Sequence, residues 1–187
     1  MRFFVYHPRT RSIMSLQDTS PLILLPSPHL AYHAQHGLFE ASLIDWAAEL
    51  GGGRTFVDAG AHTGSWTAML AGKFNHVHAF EPHPETFRAL AGTVALSNLT
   101  NVTLHNKALG HHAAESVPLH STTEDRGSAT LLGTASQSVP VDIITLDSLH
   151  LNDVGLMKID VEGYEENVLR GGLRVVIGGW LALGLKR

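Results

Sequence analysis

Two acidic residues, each at the end of a short apolar run, carry the clearest chemical information in this sequence. Asp58 ends the run RTFVD and precedes a glycine-rich turn over Gly60–Gly64, and Glu81 ends the run VHAFE. A carboxylate at a strand end can accept hydrogen bonds from both hydroxyls of a ribose. Backbone amides of the turn, with the N-terminus of the next helix, can face a negatively charged group. The pattern therefore predicts a crevice for an adenosine-containing cofactor.

The turn distinguishes two kinds of cofactor. An acid directly before the turn, Asp58, would repel a pyrophosphate but would suit an ammonium group, such as that of S-adenosylmethionine (SAM). The sequence Gly60-Ala-His-Thr-Gly64 also lacks the G-x-G-x-x-G spacing of dinucleotide-binding turns. We therefore favour SAM, and we keep a nicotinamide-dependent oxidoreductase as the alternative from another class.

The elements that must position these residues alternate along the chain. Apolar spacing and turn residues predict helices over 38–50, 63–72, 84–97 and from 164, and strands over 55–59, 76–81, 101–106 and 155–160. This β-α-β-α-β order is typical of an α/β fold with a mostly parallel sheet and right-handed crossovers.

Two regions depart from this alternation. Residues 112–148 contain the strand-like runs ESVPLH and SVPVDIITL around a polar stretch, 121–137, which predicts a hairpin-like excursion or a surface loop. The polar stretch is either a solvated loop or a lid over the acceptor. At the N-terminus, residues 1–20 are expected to be a poorly ordered lead-in, and Pro21–Pro28 an edge strand.

Composition limits the class of protein. The 187 residues, 44% hydrophobic and 16% charged, suit a single domain with a core. The net charge of −4 argues against a nucleic-acid partner, and the absence of cysteine excludes disulfides and thiolate metal sites. The run PLILLP is too short to span a bilayer, and the N-terminus lacks the apolar region of a signal peptide. We expect a cytoplasmic protein without a membrane partner.

Five segments resemble one family, in the order in which that family has them. They are VDAGAHTGSWT, AFEPHPETFRAL, NVTLHNKALG, VPVDIITLDSL and LMKIDVEGYEENVLRGG. They are similar to the FkbM-type SAM-dependent methyltransferases, a class I methyltransferase family, and the pattern IDVEGxExxVLxG is fairly specific to it. The resemblance covers roughly residues 54–172. It implies a Rossmann-like sheet, SAM as methyl donor, and O-methylation of a hydroxyl on a sugar or other small-molecule acceptor.

The resemblance also implies a set of cofactor-binding residues. Asp58, Gly60 and Gly64 would line the methionine end of SAM, Glu81 would take the ribose, and Asn106 would lie near the adenine. The full set is Glu40, Asp58, Gly60, Ala61, His62, Gly64, Glu81, Pro82, Asn106 and Asp160. His62 stands where the family usually has asparagine.

Transfer to a hydroxyl also needs a group that removes its proton. Asp160, Glu162 and His62 are the three candidate catalytic bases, and the sequence does not choose among them. Asp160 or Glu162 could instead hold a divalent cation that lowers the pKa of the hydroxyl, although no metal ligand is assigned.

Other polar residues favour simpler interpretations. Lys158 alternates with apolar neighbours and is expected to be a packing or edge residue. His29, His33 and His36 have helical spacing, but their segment is short and lacks an acid in register, so a zinc site is not favoured. His76 and His78 are expected at the surface.

The C-terminal segment is short for the family. Fifteen residues follow Gly172, which are too few for the usual last strands of the sheet. We expect an N-terminal extension over 1–37 and a C-terminally shortened methyltransferase domain over 38–187. An open sheet edge would then favour self-association. The alternative function is a truncated fragment that binds SAM without catalysing transfer.

Overall fold

The computed structural model describes residues 3–7, 12–13, 21–26, 35–36, 40–50, 52–121, 129–133 and 137–178. The strands are β1 (Phe3–His7), β2 (Ser12–Ile13), β3 (Ile23–Pro26), β4 (Thr55–Ala59), β5 (His76–Phe80), β6 (Val102–His105), β7 (Ala108–Leu109), β8 (Ala114–Ser121), β9 (Gln137–Ile144) and β10 (Val154–Ile159). The helices are α1 (Ala41–Glu49), α2 (Ser65–Leu70), α3 (Pro84–Leu96), α4 (Glu165–Arg170) and α5 (Leu173–Gly178).

The central sheet is parallel and has the order β10-β4-β5-β6. The predicted α/β fold with a mostly parallel sheet is confirmed, and the observed element bounds lie within a few residues of the predicted ones. Because the strands run in one direction, their carboxyl ends share one edge. Asp58, Glu81 and Asp160 therefore come to the same edge of the sheet.

Both faces of the central sheet are covered. Phe56 and Val57, neighbours in β4, are fully buried and point to opposite faces. Phe56 packs with Trp66, Leu70 and neighbouring side chains beneath α1 and α2. Val57 packs with side chains that include Val168 and Val175, from α4 and α5. This two-sided burial fixes β4, whose last residues lead into the glycine-rich turn.

Strands β8 and β9 form an antiparallel hairpin, with β7 paired to the other edge of β9. Of the two alternatives predicted for residues 112–148, a hairpin-like excursion and a surface loop, the hairpin is therefore confirmed. Its root is tied to the end of β6 by an ion pair between Lys107 Nζ and Asp142 Oδ2, 3.1 Å apart. In the connecting segment, the Thr130 hydroxyl donates to the Glu162 carbonyl at 2.8 Å. The hairpin thus reaches from the loop after β6 to the loop after β10. Residues 122–128 and 134–136 lie outside the described residues, so the lid stays a prediction.

The expectation of a poorly ordered N-terminal lead-in is wrong for residues 3–7 and 12–13. These form β1 and β2, which make an antiparallel sheet with β3 in the order β2-β1-β3. The edge position predicted within Pro21–Pro28 is confirmed for β3. The segment around β3 is held against α3: the Leu22 amide donates to Ser97 Oγ, directly after α3, at 2.7 Å, and the Leu24 amide donates to Thr93 Oγ1 at 3.0 Å. The domain boundary at residue 37 stays a prediction.

At the other end, β10 is the edge strand of the central sheet within the described part of the chain. Residues 179–187 lie outside it, so self-association through this edge stays a prediction. The segment after Gly172 begins with the short helix α5. The longest described helix has 13 residues, and none in the described ranges combines the length and apolar character needed to cross a bilayer.

Candidate active site

Glu81 lies directly after β5 and is 7% exposed. Each of its carboxylate oxygens accepts one backbone hydrogen bond: the His62 amide donates to Oε2 at 3.0 Å, and the His83 amide to Oε1 at 2.9 Å. Burial raises the pKa of Glu81 to about 7, although these two hydrogen bonds and the charge of Lys158 lower it. A carboxylate has about four acceptor positions. The two amides therefore fix the carboxylate and leave acceptor capacity for a pair of hydroxyls.

Asp58 lies beneath the glycine-rich turn, and its side chain is fully buried. Thr67 donates its hydroxyl to Asp58 Oδ2 at 2.7 Å, and Lys158 Nζ lies 3.4 Å from Oδ1. Because these partners enclose the carboxylate, an ammonium group of a ligand could touch it only if Lys158 or the turn moved. The direct cofactor contact of Asp58 stays a prediction.

Most backbone amides of the turn have acceptors within the protein, on the end of β5, on Glu81 and in the turn itself. The amides of Gly60 and Ala61 donate to the Phe80 carbonyl at 3.1 and 2.8 Å, and the Gly64 amide donates to the Ala61 carbonyl at 2.8 Å. The His62 amide is used by Glu81. The expectation that these amides face a negative group of the cofactor is therefore wrong for these four positions, because each amide already has an acceptor in the protein.

The glycines of the turn serve close packing. Gly60 has φ +80°, and a Cβ there would lie 1.9 Å from the Asp160 carbonyl oxygen. Gly64 has φ +93°, and a Cβ there would lie 2.8 Å from Leu90 in α3. These glycines let the turn approach the loop after β10 and helix α3. Their contact with a cofactor stays a prediction.

Thr63, in the same turn, was not singled out from the sequence. It is 1% exposed, and its hydroxyl has no hydrogen-bond partner among the described residues. A buried hydroxyl without a partner costs free energy. It is therefore a candidate to receive a polar group of a ligand if the turn moves enough to expose it, and no sequence pattern marks it.

Asp160 and Glu162 lie in the loop after β10. The Asp160 side chain is 20% exposed, and Oδ2 lies 4.0 Å from Lys158 Nζ. Glu162 has φ +52°, an uncommon conformation for a glutamate, in a loop that also holds Gly163 at φ +95°. The Glu165 carboxylate accepts from the Gly163 amide at 3.1 Å. This loop is thus held next to the glycine-rich turn, and the choice among Asp160, Glu162 and His62 as base stays open.

Two further predicted residues, Glu40 and Asn106, lie around the turn and Glu81. Glu40 starts α1 with φ +58°, and its Oε2 accepts from Trp66 Nε1 at 3.0 Å, which joins α1 to α2. Asn106 Nδ2 donates to the carbonyls of Glu81 and Pro82, both at 2.9 Å. The Glu40 side chain thus links two helices, and the Asn106 side chain supports the backbone after β5. Their contacts with a cofactor stay predictions.

Lys158 is the main site residue that sequence reasoning missed. It is 5% exposed and donates to the Gly60 carbonyl at 2.6 Å as well as pairing with Asp58. The expectation of a packing or edge residue misses this polar role. The sequence did contain a hint of this role: a lysine within an apolar strand is expected to be buried, and buried charges are normally paired.

A group of histidines also departs from the surface expectation. His76 and His78 are half-buried, and His78 Nδ1 lies 3.1 Å from His105 Nε2 on the neighbouring strand. Burial, with the charges of His76 and His105, lowers the pKa of His78 to about 4. Among the described residues, no group of three or more histidine or acidic side chains has the geometry of a metal site. The optional divalent cation therefore gains no support.

Comparison with known proteins identifies a family and a curated relative. Residues 58–178 match the family model of the methyltransferase FkbM domain. The protein "Methyltransferase 1" of Beauveria bassiana (strain ARSEF 2860) is 30% identical over 141 residues, which cover 62% of this chain and 57% of that protein. The chain thus spans a little over half the length of this curated relative.

Two solved structures share the fold. One is the methyltransferase FkbM from Methylobacillus flagellatus KT, with a TM-score of 0.51, 21% identity, and coverage of 70% of this chain and 32% of that chain. The other is an rRNA methylase from Streptococcus thermophilus, with a TM-score of 0.50, 17% identity, and coverage of 76% and 68%. The fold is therefore the Rossmann-like methyltransferase fold. Because the family match covers residues 58–178, well over half of the sequence, this chain belongs to the FkbM methyltransferase family.

Proposed function

We propose that this protein is a SAM-dependent methyltransferase that O-methylates a hydroxyl on a sugar or other small-molecule acceptor. The observation that carries the proposal is the Glu81 carboxylate, which two backbone amides hold at the carboxyl edge of the parallel sheet. Membership of the FkbM family supports methyl transfer as the reaction.

The residues at this edge fit SAM chemically. Glu81 would hold the ribose diol. The Thr63 hydroxyl, buried and without a described partner, would meet a polar group of the ligand if the turn opened on binding. The partly exposed Asp160 would attract the cationic groups of the methionine part. Bound SAM would supply an electrophilic methyl group on a positively charged sulfur.

The chain's own contribution is positioning and removal of one proton. Holding donor and acceptor in line lowers the entropic cost of their encounter. The base takes the hydroxyl proton as the acceptor oxygen bonds to the methyl carbon, and sulfur keeps the electron pair of the broken bond. Of the three candidates we favour Asp160, because its carboxylate follows β10 and its backbone contacts the Gly60 turn.

A cavity of about 510 Å³ between the start of α3 and the hairpin supports a polar acceptor. It lies beside His83, whose amide holds Glu81. Glu85 and Arg88 line it from α3, and Ser121 and Gln137 from the hairpin. Side chains of this kind suit a ligand with several hydroxyls better than an apolar one. If the acceptor uses this space, Arg88→Ala should raise its KM without changing affinity for SAM.

The donor assignment is tested by calorimetric titration with SAM and S-adenosylhomocysteine (SAH). Glu81→Ala should weaken SAM binding by about 100-fold or more, since it removes charge-assisted hydrogen bonds to two hydroxyls. Glu49→Ala is the matched control, because Glu49 is exposed at the end of α1. Unchanged affinity in Glu81→Ala would contradict the assignment.

The reaction is tested with methyl-labelled SAM and a panel of sugars and hydroxylated small molecules. Transfer that Asp160→Asn removes while SAM still binds would support the proposed base. Saturable donor binding without transfer to any acceptor would favour the alternative, a protein that binds SAM without turnover.

A further inference from the structure

Lys158, near the end of β10, has a buried ammonium group at the carboxyl edge of the parallel sheet. Its neighbours in β10 are apolar, and its side chain is 7% exposed. In the strand register it stands opposite Asp58 of β4. Moving a lysine out of water costs free energy unless its charge is paired. The chain accepts this cost at the carboxyl edge of the sheet, where the glycine-rich turn begins.

The partners of Lys158 are the acidic residues on either side of it. Nζ lies 3.4 Å from Asp58 Oδ1 and 4.0 Å from Asp160 Oδ2, and it donates to the Gly60 carbonyl at 2.6 Å. The cluster thus holds two carboxylates and one ammonium, with a net negative charge. Its field extends to Glu81, whose pKa is raised chiefly by burial, is lowered by Lys158 and is raised by Asp58.

We propose that Lys158 is an electrostatic positioning residue of the donor site, which limits how strongly Asp58 and Asp160 favour a cationic methyl donor over its neutral product. The inference rests on the proposed use of SAM. SAM carries a sulfonium charge that SAH lacks, so the charge of the cluster acts differently on the two ligands. Two carboxylates without Lys158 would favour the cationic ligand more strongly.

This role has a consequence for methyl transfer. The positive charge on sulfur disappears as the methyl group leaves, so carboxylates nearby stabilise the ground state more than the transition state. Interactions that are stronger in the ground state do not accelerate the chemical step. By offsetting part of the carboxylate charge, Lys158 reduces this effect.

The test is the ratio of the affinities for SAM and SAH, measured by calorimetric titration at one fixed pH. Lys158→Met should raise the preference for SAM about tenfold, the size of effect expected from one charge roughly 12 Å from the sulfonium at an effective dielectric constant near 20. Asp58→Asn removes a negative charge from the same cluster and should lower the preference by a similar factor. Lys73→Met is the control, because Lys73 is exposed in the turn before β5, at the opposite edge of the sheet. Its ratio should not change.

The ratio separates an electrostatic role from a purely structural one. If Lys158 only supports the turn, Lys158→Met weakens SAM and SAH equally, and the inference is overturned. If Lys158→Met does not fold, Lys158→Gln, which also removes the charge, decides: a higher ratio supports the inference and an unchanged ratio overturns it. If the unmodified protein binds neither ligand, the proposed function fails and the inference with it. If it binds both and no variant moves the ratio, the inference alone fails.

Discussion

At the scale of single residues, Glu81 combines two opposing demands. Binding a ribose diol requires a carboxylate ion, whereas burial favours the neutral acid. The amides of His62 and His83 and the charge of Lys158 reduce this conflict without removing it, and the pKa of Glu81 stays at about 7. The free protein therefore exchanges a proton at this residue close to neutral pH.

Donor binding should depend on pH through Glu81. Since the folded protein holds the pKa near 7, above its ordinary value of 4.5, the carboxyl is protonated below pH 7 and loses acceptor capacity. The affinity for SAM should fall about tenfold for each pH unit below 7 and level off above it. Calorimetric titration over this range measures the effect. Glu81→Gln should bind weakly with a flat profile between pH 5 and about 8, and an equally steep profile in that variant would assign the titration to another group.

Thr63 gives a prediction in which binding and stability move in opposite directions. Thr63→Val removes a buried hydroxyl that has no described partner, so the free energy of unfolding should rise by about 1 kcal/mol. If the hydroxyl meets the donor, affinity for SAM should fall at the same time by about five- to tenfold. Urea unfolding and titration measure the two effects. Thr67→Val is the control: its hydroxyl is bonded to Asp58, so that change should lower stability. If Thr63→Val binds SAM as tightly as the unmodified protein, Thr63 does not contact the donor.

The sequence indicated the acids of the site better than their partners. Asp58, Glu81 and Asp160 each end an apolar run, which is a local pattern, and parallel strands bring such ends together. Lys158 pairs with a residue 100 positions away (158 − 58), and that pairing exists only through the register of β10 on β4. Whether the Thr63 hydroxyl finds a hydrogen-bond partner likewise depends on the groups that surround it after folding. Local patterns cannot report either feature.

At the scale of elements, the glycine-rich turn is built to fit its neighbours. The turn was predicted from its glycines, but the reason for Gly60 is the backbone of Asp160, directly after the adjacent strand β10. The hairpin of β8 and β9 was predicted from alternation, whereas its contact with the Glu162 loop through Thr130 depends on tertiary placement. Local sequence thus predicted the elements, and packing decided their contacts.

Gly60→Ala should disrupt this edge of the sheet. The new Cβ would have to sit 1.9 Å from the Asp160 carbonyl oxygen, on a backbone with φ +80°. The turn and the loop after β10 must then separate, and we expect a loss of about 3 kcal/mol or more in the free energy of unfolding. Gly72→Ala, where a Cβ would meet nothing within 4 Å, should change stability by less than about 1 kcal/mol. Urea denaturation followed by circular dichroism compares them, and equal stability of the two variants would contradict the packing role of Gly60.

At the scale of the whole molecule, the N-terminal strands bear on where the domain begins. The sequence before residue 38 shows little of the apolar spacing that marks strands and helices. Of its three strands, only β3 was predicted, and β1 and β2 were missed. Leu22 and Ile23 are nonetheless 2% and 0% exposed. The amides of Leu22 and Leu24, on either side of Ile23, donate to the hydroxyls of Ser97 and Thr93. Thr93 lies in α3 and Ser97 directly after it, and α3 is the helix that follows Glu81 and packs against Gly64. The support of the donor site thus includes residues from the predicted extension.

A chain shortened to residues 38–187 should therefore be less stable than the full chain. It loses the burial of Leu22 and Ile23, each worth about 1.5–3 kcal/mol, so we expect the free energy of unfolding to fall by about 3–6 kcal/mol. Thr93→Val in the full chain is the matched control. It removes the bonds of the Thr93 hydroxyl to the Leu24 amide and the Thr63 carbonyl but keeps the apolar contacts, so its loss should be about 1–2 kcal/mol. Urea unfolding measures the free energy of unfolding of the full chain, the shortened chain and Thr93→Val, and so ranks their stabilities. Equal stability of the short and full chains would mean that the domain begins near residue 38, and that β3 only rests on α3.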